Sequence, residues 1–261
     1  MDGATTGAQP AGRPAMARRT SGSRWLLRPP AEDCEIRLFC FPYSGCGATM
    51  YRNWPERIGR IEVLPLQLPG RENRMREPHF ATYERLADDF ADEFAPCLDR
   101  PFAFFGHCGG ALPAFEAVVR LAERGLPAPL RLFVSSQVAP HEGPYGRFLG
   151  LSDDQLADEL RTLLGALGGG RTPPPQLLEL YLEVLVADVE ANRKYRKPAE
   201  VGIPCPITAI GWDRDAEVPH RLMSGWQDCA PTRSVLLGGE HYTFLDAPGP
   251  LIDVFAADLL P

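Results

Sequence analysis

The residues best placed for chemistry stand at Phe104-Phe105-Gly106-His107-Cys108-Gly109-Gly110. A short apolar run ends there, glycines crowd a turn, and an apolar helical pattern begins. This is the G-x-S-x-G pattern of a nucleophile elbow, with Cys108 where the pattern has serine. On such a turn the central side chain is held out over the end of a sheet. Glycine on either side lets strand and helix approach without a Cβ clash. The helix N-terminus behind the turn favours negative charge at the same spot. Pro113 falls in the first helical turn, where its missing N–H costs little. The chemistry implied is nucleophilic attack by a thiol. A glycine-rich turn around a buried cysteine would carry the same letters, so a base and an acid must be found elsewhere.

Two later loops supply them. Gly211-Trp212-Asp213-Arg214-Asp215-Ala216-Glu217-Val218 follows an apolar run, and an acid in that place can orient an imidazole. Gly238-Gly239-Glu240-His241-Tyr242-Thr243-Phe244 brings a histidine. Each loop alone reads as solvated surface. Together they complete the order nucleophile, acid, base, which is the chain order of α/β-hydrolases. His107, inside the elbow, is expected to fill space beneath the nucleophile. His79, His141 and His220 lie near proline-rich turns and read as surface or loop histidines. No set of His, Asp, Glu and Cys has metal spacing, and neither a metal nor a cofactor is expected. Phe41-Pro42-Tyr43-Ser44-Gly45-Cys46-Gly47 lacks both the Lys-Ser/Thr ending of a phosphate loop and the G-x-G-x-x-G of a dinucleotide site. In an α/β-hydrolase such an early loop gives one oxyanion N–H and the residue after the nucleophile gives the other. Here those are a residue near Tyr43-Ser44 and Gly109.

The elements that must position these groups are legible as an alternation. Nearly continuous apolar runs at 36–43, 61–68, 102–106, 130–135, 206–212 and 234–237 read as strands buried on both faces of a parallel sheet. Tyr83–Phe94 carries Leu86, Phe90 and Phe94 four apart, and Leu112–Arg124 is closed by Gly125; both read as helices. The order implies an α/β fold with a mostly parallel central sheet, helices on both faces and sites at the carboxyl ends of the strands. From about 140 to 198 no strand is expected. Ser152 and Gln155 have capping-box spacing at the start of one helix. A Gly/Pro segment at 168–175 separates it from a second helix running from Gln176 to about Tyr195. The stretch reads as a mobile helical lid over the active end of the sheet. Residues 1–23 read as a disordered tail and 24–261 as one domain.

Composition narrows the field. The chain has 261 residues, with Lys+Arg 27 against Asp+Glu 34 and a formal net charge of −7. An acidic chain is a poor candidate for nucleic-acid binding. No run approaches the roughly 20 apolar residues of a membrane helix, and no apolar stretch follows the N-terminal arginines as in a signal peptide. Seven cysteines without C-x-x-C spacing suit a reducing cytoplasm rather than a disulfide framework.

Several segments in combination resemble the type II (editing) thioesterases of polyketide and nonribosomal peptide synthesis. They are Leu38–Gly45 (LFCFPYSG), Leu66–Arg71 (LQLPGR), Gly106–Gly110 (GHCGG), Asp213–Val218 (DRDAEV) and Gly239–Phe244 (GEHYTF), with LSDDQLADELRTL and ADVEANRKYR in the lid. The resemblance implies that Cys108 is the nucleophile, His241 the general base and Asp215 its acid, with Asp213 competing for that last role. By position it assigns the oxyanion N–H groups to Ser44 and Gly109. It implies a partner, an acyl- or peptidyl-carrier protein whose phosphopantetheine arm carries the acyl thioester, and a monomeric enzyme. Carrier proteins are acidic, so Arg71, Arg74, Arg193, Lys194 and Arg196 are candidate docking residues. The departure is Cys108, where the family has serine. A thiol beside an imidazole is a ready nucleophile, and its acyl intermediate is itself a thioester. Exchange between two sulfurs is nearly balanced. That raises an alternative to hydrolysis: an acyltransferase or shuttle moving acyl or aminoacyl groups between carriers or to an amine. A catalytically dead carrier-binding scaffold and a lipase are the remaining readings.

Overall fold

The computed structural model describes residues 23–167 and 174–260. The tail expected over 1–23 therefore lies outside the described residues except for Ser23, as does the 168–173 part of the expected lid joint.

Seven strands form one sheet: β1 (Ile36–Phe41), β2 (Arg57–Ile58), β3 (Ile61–Pro65), β4 (Phe102–His107), β5 (Arg131–Ser135), β6 (Ile207–Trp212) and β7 (Thr232–Leu237). Their spatial order is β2-β3-β1-β4-β5-β6-β7, and every pairing is parallel except that of β2 with β3. Successive strand residues face opposite sides of a pleat. Accordingly Phe39, Phe41, Phe102 and Phe104 enter one core, and Leu38, Cys40, Ala103 and Phe105 the other. The first core is covered by α1 (Tyr83–Phe94) and α2 (Ala111–Glu123), the second in part by α6 (Gly249–Leu259). In the first, Trp25 stands edge-on to Phe90 at 5.4 Å, and Phe90 stacks on Phe94 at 4.4 Å. Full burial of such side chains stabilises by about 1.5–3 kcal/mol each. The architecture is that of an α/β-hydrolase.

Local signals account for the boundaries. Thr82 accepts the Arg85 N–H at the start of α1. Gly125 (φ +64°) ends α2, and its N–H and that of Leu126 reach back to Ala122 and Leu121 carbonyls, a left-handed helix stop that favours glycine. α3 (Asp153–Leu167) opens with the expected capping box: Ser152 N–H donates to Gln155 Oε1, and Gln155 N–H to Ser152 Oγ. α4 (Pro175–Lys194) follows, so two helices fill the stretch between β5 and β6. The short helix α5 (Trp226–Cys229) precedes β7.

The chain's path fixes where a site can form. From β1 it turns to β3 on one side, and β4 lies on the other. The order reverses at β1, and the loops after β1 and β4 leave the same end of neighbouring strands, paired at Phe41 and Gly106. Such a switch point opens a crevice at the carboxyl ends.

Candidate active site

The turn after β4 carries Cys108 with φ +47°, in the left-handed region where a side chain is strained by about 1–3 kcal/mol. Its neighbours show why glycine is needed. A Cβ on Gly106 would sit 2.2 Å from the Gly110 carbonyl oxygen, and one on Gly110 would sit 2.8 Å from those of Phe41 and Pro42. One on Gly109 would lie 1.9 Å from Ser44 Oγ and 3.4 Å from Ser44 N. The loop after β1 and the elbow are thus pressed together, with Ser44 against Gly109. A one-turn helix, Cys108–Gly110, runs directly into α2, so Cys108 stands at the N-terminus of a continuous helical segment. Pro113 lies in the first turn of α2.

His241 begins a short helical turn after β7. Its Nδ1 lies 2.9 Å from Asp215 Oδ2, and both side chains are buried. The acid is held by its own loop: Oδ1 accepts the N–H groups of Glu217 at 2.8 Å and Val218 at 3.0 Å, and Ser136 Oγ donates to Oδ2 at 2.6 Å. This gives the D-x-x-V spacing a physical reason, since the valine N–H closes back on the carboxylate three residues earlier. Asp213 does something else. It accepts the Gly239 N–H at 2.7 Å and ties the acid loop to the base loop. Gly239 (φ +149°) has no room for a Cβ, which would stand 2.6 Å from Thr243 Oγ1.

Electrostatics follow from this arrangement. Burial works against a charged His241, but the Asp215 carboxylate, Cys108 and Glu217 outweigh it and push the ring up to about 10. Burial also opposes the charge on Asp215, yet His241, Ser136 and Val218 N–H hold it below its ordinary value. The other ring nitrogen, Nε2, has no hydrogen bond among the described residues. Glu217 Oε2 is 3.5 Å from it, and Cys108 is close enough to raise the ring. A buried nitrogen without a hydrogen bond stands out, because nearly all such groups are satisfied.

His107 lies beneath this site, fully buried and flat against Phe244 at 3.8 Å. Its Nδ1 hydrogen-bonds with Ser135 Oγ at 2.9 Å, and burial lowers it well below the ordinary histidine value, so it is neutral packing. The other three histidines, in or beside loops, each have a partner. His79 Nε2 meets Asp188 Oδ1 at 2.7 Å, His141 pairs with Asp228 and His220 with Ser234. Proline-rich surroundings had hidden these long-range partners.

Two of the five candidate docking residues are also corrected. Arg71 is 2% exposed and forms a two-pronged ion pair with Asp188 of α4, both contacts at 2.8 Å. Arg74 is buried between Glu77, the Gln67 carbonyl and the Trp25 ring. Arg193, Lys194 and Arg196 remain exposed. Sequence reasoning missed Ser136, Glu217 and Asp188. Ser136 and Asp188 carry no local mark, because each acts on a residue far away in the chain, and the reach of the Glu217 side chain to His241 is equally non-local. Among the described residues no cluster of His, Cys, Asp and Glu could hold a metal ion, and all seven cysteines are free. No helix among them is long and apolar enough to cross a membrane.

With that geometry in place, comparison with known proteins becomes informative. Residues 36–257 match the thioesterase domain. The chain belongs to the thioesterase family. This thioesterase is 34% identical over 235 residues to linear gramicidin dehydrogenase LgrE of Brevibacillus parabrevis, covering 85% of this chain and 87% of that protein. The first βα turn here has no dinucleotide fingerprint to match the redox activity in that name. Among solved structures, the thioesterase resembles RedJ, a thioesterase from the prodiginine biosynthetic pathway in Streptomyces coelicolor, with a TM-score of 0.75 and 33% identity over 95% of this chain and 97% of that one. It also resembles BorB, the type II thioesterase from the borrelidin biosynthetic cluster, with a TM-score of 0.78 and 28% identity over 92% and 99%.

Proposed function

We propose that this thioesterase is an editing enzyme that removes acyl groups from the phosphopantetheine arm of a carrier protein in polyketide or nonribosomal peptide synthesis. The observation that carries the reading is His241, held by Asp215 through Nδ1 at 2.9 Å, with Nε2 making no hydrogen bond and Cys108 among the groups that raise the ring. The pathway assignment is supported by the likeness to RedJ and BorB, which belong to the prodiginine pathway and the borrelidin cluster.

The steps follow from the groups present. Cys108 Sγ, its proton passed to His241 Nε2, attacks the thioester carbonyl carbon. A carbon–sulfur bond forms and the carbonyl oxygen takes the charge. Ser44 is packed against Gly109, and we assign their N–H groups to that oxygen; losing one such donor costs about 2.7–4 kcal/mol of barrier. Collapse breaks the bond to the pantetheine sulfur, which leaves with the proton from His241. Water, deprotonated by His241, then attacks the acyl-Cys108 thioester. The free acid departs and the thiol is restored. Imidazolium, favoured here by Asp215, is the form that stabilises a thiolate partner. An open cleft of about 600 Å³ lined by Tyr145, Arg147, Leu149 and Glu217 reaches the residue whose carboxylate is 3.5 Å from His241 Nε2, and we assign it as the way in for the substrate.

The cysteine itself favours a second reading. An acyl group on Cys108 keeps the energy of a thioester, so a carrier thiol or an amine can accept it in place of water. Incubating the protein with an acylated carrier and a separate empty carrier tells the two apart. Free acid that disappears in Cys108→Ala supports hydrolysis. Label on the second carrier supports transfer. Neither product would overturn both.

A further inference from the structure

The loop that carries Ser44 is a four-residue turn. Cys46 N–H donates to the Tyr43 carbonyl at 2.9 Å, and Gly45 has φ +77°, the geometry that demands glycine at the third position of a type II turn. Its outer side is not solvated. α4 lies against it: a Cβ on Gly45 would meet Leu185 Cβ at 3.1 Å. One helical turn on, Asp188 Oδ2 accepts the Gly45 N–H at 2.8 Å. The same carboxylate is gripped by Arg71, whose Nη1 also donates to the Cys46 carbonyl at 3.0 Å. One buried ion pair thereby holds the peptide groups on both sides of the turn, directly beyond Ser44.

A buried ion pair is seldom retained for stability alone, because removing two charges from water costs much of what their attraction returns. Here the pair has a geometric job. The peptide N–H of Ser44 can serve an oxyanion only if the turn is fixed to within a fraction of an ångström. We propose that Asp188, on the lid helix, is a positioning residue for the reaction: with Arg71 it locks the Tyr43–Cys46 turn so that the Ser44 N–H faces the carbonyl oxygen of the substrate. The inference rests on the assignment of Ser44 as an oxyanion donor. It makes the second half of the insertion part of the catalytic frame rather than part of a moving cover.

Two reactions of Cys108 separate this role from a merely structural one. Alkylation by iodoacetamide needs the thiolate but no oxyanion donor. Acylation by a small thioester, an acyl-N-acetylcysteamine, needs both. Arg71→Met/Asp188→Leu removes the charge pair in favour of apolar groups, and Arg71→Met/Asp188→Asn keeps an oxygen for the Gly45 N–H. Both rates are read by intact mass, with the urea midpoint as a check on folding. The leucine variant should acylate about 10-fold to 100-fold more slowly while its alkylation stays within about twofold, less than the full 10²–10³ of a deleted donor. The asparagine variant should acylate within about fivefold of wild type, since the turn keeps its acceptor. If leucine overpacks the site and prevents folding, Arg71→Met/Asp188→Val replaces it with the same expected split. Equal losses in both reactions, no loss in either, or an asparagine variant as slow as the leucine one would overturn the inference. A wild-type protein that alkylates but never acylates would instead remove the thioesterase chemistry on which it rests.

Discussion

Asp215 reaches the imidazole of His241 at 2.9 Å, while Asp213, two residues earlier, points to the Gly239 N–H. The two acids of one loop are thus divided between orienting the base and holding its loop. Asp215→Asn should lower kcat by about 10²–10⁴-fold, because an amide cannot hold the ring's tautomer and charge. Asp213→Asn retains an acceptor oxygen and should cost less than about tenfold. Steady-state kinetics on a small thioester measure both, and the reverse order would reassign the acid.

In the proposed mechanism Cys108 and His241 act as one unit. Cys108→Ala and His241→Ala should each remove nearly all turnover, and the double variant should be scarcely slower than either. Additive losses would show that the two side chains do not cooperate in one step.

The raised value of His241 carries a stability consequence. In the folded protein the ring binds its proton up to about 10, and in the unfolded chain only up to about 6.5. Between those values the native state holds more protons, so its stability must fall as pH rises. The contribution is complete below about pH 6.5 and gone above about 10. Wild type should lose urea resistance across that window, and His241→Phe should lose less. An equal slope in both proteins would contradict the proton assignment.

Gly106 faces backbone rather than a yielding side chain. Gly106→Ala places a methyl group 2.2 Å from the Gly110 carbonyl oxygen, so the elbow must open. The expected cost is about 1–3 kcal/mol or more, read as a lower urea midpoint together with lost activity. Unchanged stability would mean that the turn is looser than its contacts show.

Most of the frame was legible because its signals are local. The apolar runs at 36–43 and 102–106 became β1 and β4, and Tyr83–Phe94 became α1 residue for residue. β2, two residues long, has no periodicity to read, and β7 begins at Thr232 rather than Ser234. α6 was not anticipated, although Leu251, Val254, Phe255 and Leu259 are spaced for one helical face. In the candidate site, the order along the chain pointed to Cys108 and His241, the resemblance pointed to Asp215 over Asp213, and Asp215 is the acid that meets the His241 ring. Arg71 was misjudged for the opposite reason. An arginine reads as surface until Asp188, 117 residues away, is known to meet it in the interior. The same blindness to distant partners hid Ser136 behind Asp215 and made His79 look solvent-facing.

The candidate catalytic groups do not hang from equally sheltered strands. The thiol and Ser44 spring from β4 and β1 at the centre of the sheet, whereas His241 follows β7, an edge strand with exposed residues at Arg233, Ser234 and Leu236. Edges fray before centres do. On warming, the imidazole should drift from its seat while the middle of the molecule is still intact, so catalysis fades at a temperature below the main melting transition and returns on cooling.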